Sequence, residues 1–257
     1  MKKLFIRGTL CLLCALLLFS SCGKAPKMEY ENGVFTNSKT GISYLPASVN
    51  YEAISYQGDT PVARIIQKGM GDLLVYRMSG VAPEKMLSSA HYELFYAVGT
   101  TLPTLAEMAP VKVHLCRTAA DSIYSLASLD KKDDLAVLVD CYQNGVSFPA
   151  ADMVDSSLER ERYDLKFESK THPGIYFCLT YWQFDREVLV YEDIKDPNLF
   201  VSSYPGVEVE VEPYEDGSGE YYAEYHFGTR LLYDRANDTC YYFPSDLLDQ
   251  YTLEPKA

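Results

Sequence analysis

Histidine is scarce in this chain: there are four in 257 residues, at His91, His114, His172 and His226, and none stands beside a serine or cysteine in a nucleophile motif. G-x-S-x-G, H-E-x-x-H and a glycine-rich phosphate loop at a strand-to-helix junction are all missing, so no catalytic residue is assigned. Cysteines are few and widely spaced past residue 22, without a zinc signature. The stretches Asp216–Glu220 and Asp234–Asp238 lack the close oxygen spacing of a calcium loop. Neither a metal nor a cofactor is expected. Basic residues are outnumbered, 23 Lys and Arg against 36 Asp and Glu, a net charge of −13. Nucleic acid and a bare anionic membrane surface would both repel such a chain and are excluded as partners. Regular strand–helix–strand alternation is also missing, which argues against parallel-sheet lobes. After residue 22 no apolar run is long enough to span a bilayer.

What is present begins at the N-terminus. Met1–Arg7 is positively charged, and Leu10–Phe19 is an uncharged apolar core. As a helix this core reaches about 15 Å, half of a ~30 Å hydrocarbon layer, so it fits a cleaved signal better than a spanning helix. The run Phe19-Ser20-Ser21-Cys22, followed by Gly23, resembles the lipobox of bacterial lipoproteins, with Phe19 where leucine is usual. The resemblance implies cleavage before Cys22 and acylation of its sulfur. The lipid bilayer is then a partner, and the protein is held at the cell membrane facing outside the cytoplasm. Each buried methylene contributes roughly 0.8 kcal/mol, so two or more chains make a stable anchor. The chain then divides into a cleaved signal peptide (1–21), a lipidated N-terminus and tether (22–32), and one globular extracytoplasmic domain (33–257), divisible into two subdomains near 150–162. Cleavage removes three bases (Lys2, Lys3 and Arg7) and no acid, taking the net charge from −13 to −16.

The body reads as strands. Val34-Phe35 and Ile42–Pro46 flank a polar turn, and Val62–Ile66 and Leu73–Met78 flank Lys68–Asp72, giving two hairpins. Tyr92–Val98 and Val111–Leu115 are further strands, with Thr104 and Glu107 spaced as a capping box between them. Asp130 reads as the N-cap of an amphipathic helix over about 131–143. There Leu135, Leu138, Val139 and Tyr142 recur at helical spacing. Asp152–Glu161 reads as a shorter second helix. Tyr163 to Tyr191 reads as a three-strand meander. Val207–Val211 alternates with glutamate, so a buried valine face and a solvated acidic face are expected. Residues 34–46 and 232–244 align without a gap, as two copies of one hairpin pattern. The expected fold class is α+β: predominantly antiparallel sheet with one principal amphipathic helix packed on a sheet face.

Tyrosine is abundant, 22 residues against 11 Phe and one Trp, which suits half-buried sheet faces. Trp182, Tyr176, Tyr181, Tyr191, Tyr221 and Tyr222 form the candidate ligand face for a sugar or peptide, against the alternative that they pack a core. Cys116, Cys141, Cys178 and Cys240 could form disulfides outside the cell, in pairings the spacing does not choose, or pack as buried thiols. The functional expectation is a noncatalytic, lipid-anchored binding or scaffolding module of the bacterial cell envelope. Its partner would be an envelope or extracellular protein or a glycan. The alternative is an envelope hydrolase acting on polysaccharide or peptide, which would show a histidine within reach of serine or cysteine, or convergent carboxylates in a cleft.

Overall fold

Side-chain acceptors in tight turns set the local structure. Asn37 Oδ1 accepts the N–H groups of Lys39 and Thr40 at 2.9 and 3.2 Å, and Gly41 takes φ +71° to bring the chain back. Asp234 Oδ1 does the same for Ala236 and Asn237 at 2.9 and 3.2 Å. These are the two aligned stretches of the sequence, and both are hairpins. The computed structural model describes residues 25–252, save 59, 68–70, 120–121, 155–157, 159 and 216–217. The signal peptide, Cys22 and the tips of the 68–72 and 216–219 turns therefore lie outside the described residues.

Eight strands come first: β1 (Lys27–Glu31), β2 (Val34–Asn37), β3 (Ser43–Pro46), β4 (Tyr51–Ala53), β5 (Ala63–Gln67), β6 (Gly71–Arg77), β7 (Met86–Ser89) and β8 (Leu94–Ala97). All but β4 close into a seven-stranded barrel in the order β1-β2-β3-β8-β7-β6-β5. Its pairs are antiparallel except the closing one, where β1 runs parallel to β5 through Lys27↔Arg64 and Met28↔Ile65. Met28, Tyr44, Ala63, Ile65, Val75, Leu87, Phe95 and Ala97 fill the interior. Lys27–Glu31, assigned to the tether on sequence, is thus a stave of the barrel. Its charges at Lys27, Glu29 and Glu31 face water while Met28 is buried, so its low apolar content concealed a period of two.

The remaining strands are β9 (Lys112–Ala119), β10 (Ser122–Leu129), β11 (Ser147–Pro149), β12 (Arg160–Glu168), β13 (Ile175–Phe184), β14 (Leu189–Ile194), β15 (Glu208–Pro213), β16 (Tyr221–His226), β17 (Arg230–Asp234) and β18 (Thr239–Tyr242). An eight-stranded sheet runs β10-β9-β12-β13-β17-β18-β11, with β4 added beside the first half of β13. A small sheet, β14-β16-β15, covers part of its other face. Alternation along β13 supplies both sides: Phe177, Leu179 and Tyr181 join one core, and Trp182 and Phe184 join the second, with Phe148, Ala223, Tyr225 and Leu231. The valines of β15 face this second core and its glutamates face water.

Several expectations are corrected. The fold is not α+β: strands make up 48% and helices 12%. The described helices longer than a 3-10 turn are α1 (Leu105–Met108) and α2 (Lys132–Asn144). Among the described residues no principal helix forms a layer on a sheet. α2 buries only Leu135 and Leu138, while Val139 and Tyr142 are half-covered, and Lys131 rather than Asp130 is its N-cap. A 3.6-residue period identifies a helix but does not say how much of a core it covers. Asp152–Glu161 is not a helix where described: a 3-10 turn ends at Asp152 and β12 starts at Arg160. The meander also breaks, because β13 pairs with β17 while β14 leaves for the small sheet. The Thr104–Glu107 capping box is present, with both reciprocal bonds. Among the described residues no helix is long and apolar enough to cross a membrane.

Candidate functional site

Seven short strands closing on themselves leave an interior that side chains fill incompletely at one end. Paired residues share a face, so Tyr30↔Phe35, Pro46↔Phe95 and Ile65↔Leu73 place these side chains together at the barrel mouth. They line a cavity of about 630 Å³, completed by the 47–52 segment and by His91, Glu93 and Arg235. Tyr30, Ile66 and Val49 border it and are 66%, 46% and 54% exposed. Tyr30 lies 4.8 Å from Phe35, ring to ring, and Phe35 meets Phe95 edge-on at 5.6 Å. The mouth is therefore an aromatic and aliphatic cup with a polar rim.

The rim is held by the chain that leaves β3 for the central sheet. Ala47 N–H donates to Leu94 O at 2.8 Å, Ala53 N–H to Tyr92 O at 2.9 Å, and Tyr51 Oη–H to Pro103 O at 2.8 Å. Behind it, Asn50 Nδ2 donates to Asp234 Oδ1 at 2.6 Å, and Asn50 O accepts Cys178 N–H at 2.7 Å. This is where β13 exchanges β4 for β17 as its neighbour. Asp234 is fully buried and also accepts from Tyr142 Oη at 3.0 Å and Asn237 Nδ2 at 2.8 Å. Burial alone would raise its pKa, but the bonds from Asn50, Asn237 and Tyr142 outweigh it and hold the carboxyl below its ordinary value. Glu52 on the rim pairs with Lys166. Burial works to lower the Lys166 pKa, yet the Glu52 hydrogen bond and charge raise it overall. Arg235, also on the rim, has no such partner. Its Nη2 donates to Val49 O at a long 3.4 Å, its Nε is buried without an acceptor, and none of the ion pairs among the described residues includes it.

The aromatic residues singled out on sequence do not form one platform. Trp182 is buried, stacked on Tyr233 at 4.0 Å with Arg160 4.3 Å above its ring, so its faces are taken by the chain itself. Tyr181 is fully buried and its Oη donates to Asp249 at 3.3 Å. Tyr176 lies edge-on to His114 on the other half of the central sheet. Tyr191 and Tyr222 do meet, at 5.0 Å, on the outer face of the small sheet, whereas Tyr221 takes the alternate side of β16. None of the six lines the barrel mouth. Cys116, Cys141, Cys178 and Cys240 are all unpaired thiols. Burial pushes Cys141 and Cys240 up to about 12 and raises Cys116 and Cys178, which suppresses thiolate chemistry.

Cross-strand register creates one arrangement that sequence spacing hides. Ser128 on β10 lies opposite His114 on β9, with Oγ 2.9 Å from Nδ1, and His114 Nε2 lies 3.1 Å from Glu168 Oε2. These are the elements of a nucleophile, a base and an orienting carboxylate. Ser128, however, sits exposed on an edge strand, where successive N–H groups point to opposite sides and do not converge as an oxyanion hole. None of the three residues lines the cavity. The row is a solvated polar ladder.

On the small sheet His226 Nδ1 meets Glu187 at 3.0 Å and its Nε2 lies 3.5 Å from Glu224. The Glu187 hydrogen bond, ahead of the surrounding acidic charge, raises its pKa. Among the described residues no group of three His, Cys, Asp or Glu side chains is placed to hold a metal ion.

The barrel-mouth residues were missed on sequence because they come from β1, β2, β3, β5, β6 and β8 and, in Arg235, from the last hairpin. The available signal was the period of two in Lys27–Glu31, which sets Met28 and Tyr30 on one side. Comparison with family models, with curated proteins and with solved structures finds no match to this chain.

Proposed function

We propose that the protein is a noncatalytic binding module of the bacterial cell envelope, tethered through acylated Cys22, which takes the apolar part of a ligand into the mouth of its barrel. The observation that carries this reading is the cavity of about 630 Å³ bordered by exposed Tyr30, Val49 and Ile66. Its size falls in the roughly 300–1,000 Å³ span of small-molecule sites, which favour barrel mouths and apolar walls with a few polar groups. Exposed apolar side chains grouped around a concavity mark a contact surface rather than a solvated one.

The tether adds a direction. Ala25 O accepts from Arg64 Nε at the Lys27 end of β1, and Tyr30 borders the cavity from the other end. At ~3.3 Å per residue the two ends of β1 are about 10 Å or more apart. An anchor at Cys22 therefore joins the barrel on the side away from its mouth, which favours a ligand arriving from the envelope space or the exterior.

Leu73→Trp fills the cup from a half-buried wall position. The mature chain is expected to enhance the fluorescence of anilinonaphthalene sulfonate, and Leu73→Trp to weaken that binding at least tenfold with an unchanged thermal melt. Equal binding by both proteins would remove the cavity as the site. For the anchor, Cys22→Ala in cells should abolish processing and the mass of the acyl chains. A membrane-retained, processed Cys22→Ala product would overturn the tether.

A further inference from the structure

We propose that the ligand of the barrel mouth is an anionic amphiphile, its alkyl or acyl chain held among Tyr30, Phe35, Ile65 and Leu73 and its oxyanion head group held by Arg235. The inference rests on the barrel mouth being a ligand site and names the class of molecule it takes. The first ground is charge. In a chain of net charge −13, a cation at the rim of an apolar cavity stands out. Glu52 does not neutralise it, because Glu52 is already paired with Lys166, and Glu93 is exposed, where water and salt screen it.

The second ground is the weakness of the contacts Arg235 now makes. One bond of 3.4 Å to Val49 O is at the limit of hydrogen bonding, and the Nε–H is buried without an acceptor. An unsatisfied buried donor is a standing cost to the folded chain. Turning the guanidinium toward a ligand gives up almost nothing and satisfies that donor. The Nε and Nη2 edge of arginine matches the two oxygens of a carboxylate or phosphate, so the pair forms in a bidentate geometry. A neutral amphiphile would leave this edge unmet, and a cationic one would face Arg235 across a low-dielectric cup.

The third ground is shape. The apolar residues lie inside the barrel and Arg235 lies at its rim, on the hairpin β17–β18 that belongs to the central sheet. A molecule spanning both must carry its charge at one end and its apolar body at the other.

The test is calorimetric titration of the mature chain, carried as Cys22→Ala so that it is handled without detergent, with decanoate, decyl phosphate, decan-1-ol and decyltrimethylammonium at neutral pH and below micelle formation. Decanoate and decyl phosphate should bind at least tenfold tighter than decan-1-ol, with the ammonium weakest. Arg235→Gln should bring the two anions down to the affinity of the alcohol, and Arg235→Lys, which keeps the charge and loses the fork, should fall between. A tighter decyl phosphate than decanoate would assign the head group to a phosphate source, and the reverse order to a free fatty acid. Equal binding of anion, alcohol and cation, abolished by Leu73→Trp, would overturn the anionic head group and leave the cavity as an apolar site. No binding of any of the four would overturn both readings. Should Arg235→Gln fail to melt cooperatively, the order of the four probes on the parent chain decides the proposal.

Discussion

Asp234→Ala is expected to cost about 3–5 kcal/mol at neutral pH, a large share of the stability of a domain, because it strips a buried carboxylate from a site of paired donors. The side chain is fully buried and accepts from Asn50 Nδ2, Tyr142 Oη, Asn237 Nδ2 and the N–H groups of Ala236 and Asn237. Removing it leaves those donors without water or partner. It also unpins Asn50, whose carbonyl carries the Cys178 N–H at the exchange of β4 for β17. Asp234→Asn should cost less, about 1–3 kcal/mol, since one acceptor becomes a donor facing donors. The effect carries a pH signature. The folded-state pKa lies below the ordinary value of 3.8, so the stabilisation is complete above the unfolded-state pKa and is lost as pH falls through the folded-state one. The gap between parent and Asp234→Ala in urea melts should therefore be widest near neutrality and narrow as pH drops below about 4. A gap independent of pH would show that the charge is not what holds the junction.

The second large effect is expected at Gly174, in the turn that delivers β13. Its φ is +92°, and an added Cβ would lie 2.5 Å from Val81 Cγ2 and 3.2 Å from Ser79 O. Its carbonyl accepts from Ile54 N–H at 2.9 Å, just past β4. Gly174→Ala thus combines backbone strain with a collision against the segment joining β6 to β7, and should lose about 2–4 kcal/mol. Gly41→Ala is the control, since Gly41 has φ +71° and nothing within 4 Å of its Cβ position. It should lose only about 1–2 kcal/mol, the strain alone. The difference measures how firmly the barrel is seated on the central sheet. Equal losses in guanidinium melts would mean that Ser79 and Val81 do not rest on this turn.

Hairpins were legible in the sequence where the turn carries its own marker, whereas β1–β2 and β9–β10, equally neighbours in the chain, were not. Val34–Pro46 and Leu232–Pro244 announced themselves because each contains its own turn acceptor, Asn37 or Asp234. Asp234-Arg235-Ala236-Asn237-Asp238 misses the spacing of a calcium loop; its first carboxylate serves the backbone two and three residues on, and accepts across the fold from Asn50 and Tyr142. What stayed hidden were contacts between segments far apart in the chain. The parallel β1–β5 pair that closes the barrel has no local marker, and neither does the departure of β14 from β13. Helix α2 was overweighted because its apolar period is clear while the area it covers depends on partners elsewhere. The cavity was invisible for the same reason: Tyr30 and Arg235 stand at opposite ends of the chain and meet only once barrel and sheet are joined.

The placement of β1 also governs how the protein would bear tension. The strand is bonded to β2 on one side and β5 on the other, and the N-terminal segment leads straight into it. A force pulling from that end acts along the strand axis, so the bonds on both flanks share the load and must yield at once rather than unzip in turn. With the tether proposed above, drag on the body would be met in shear, the direction in which a strand held on both sides is hardest to draw out.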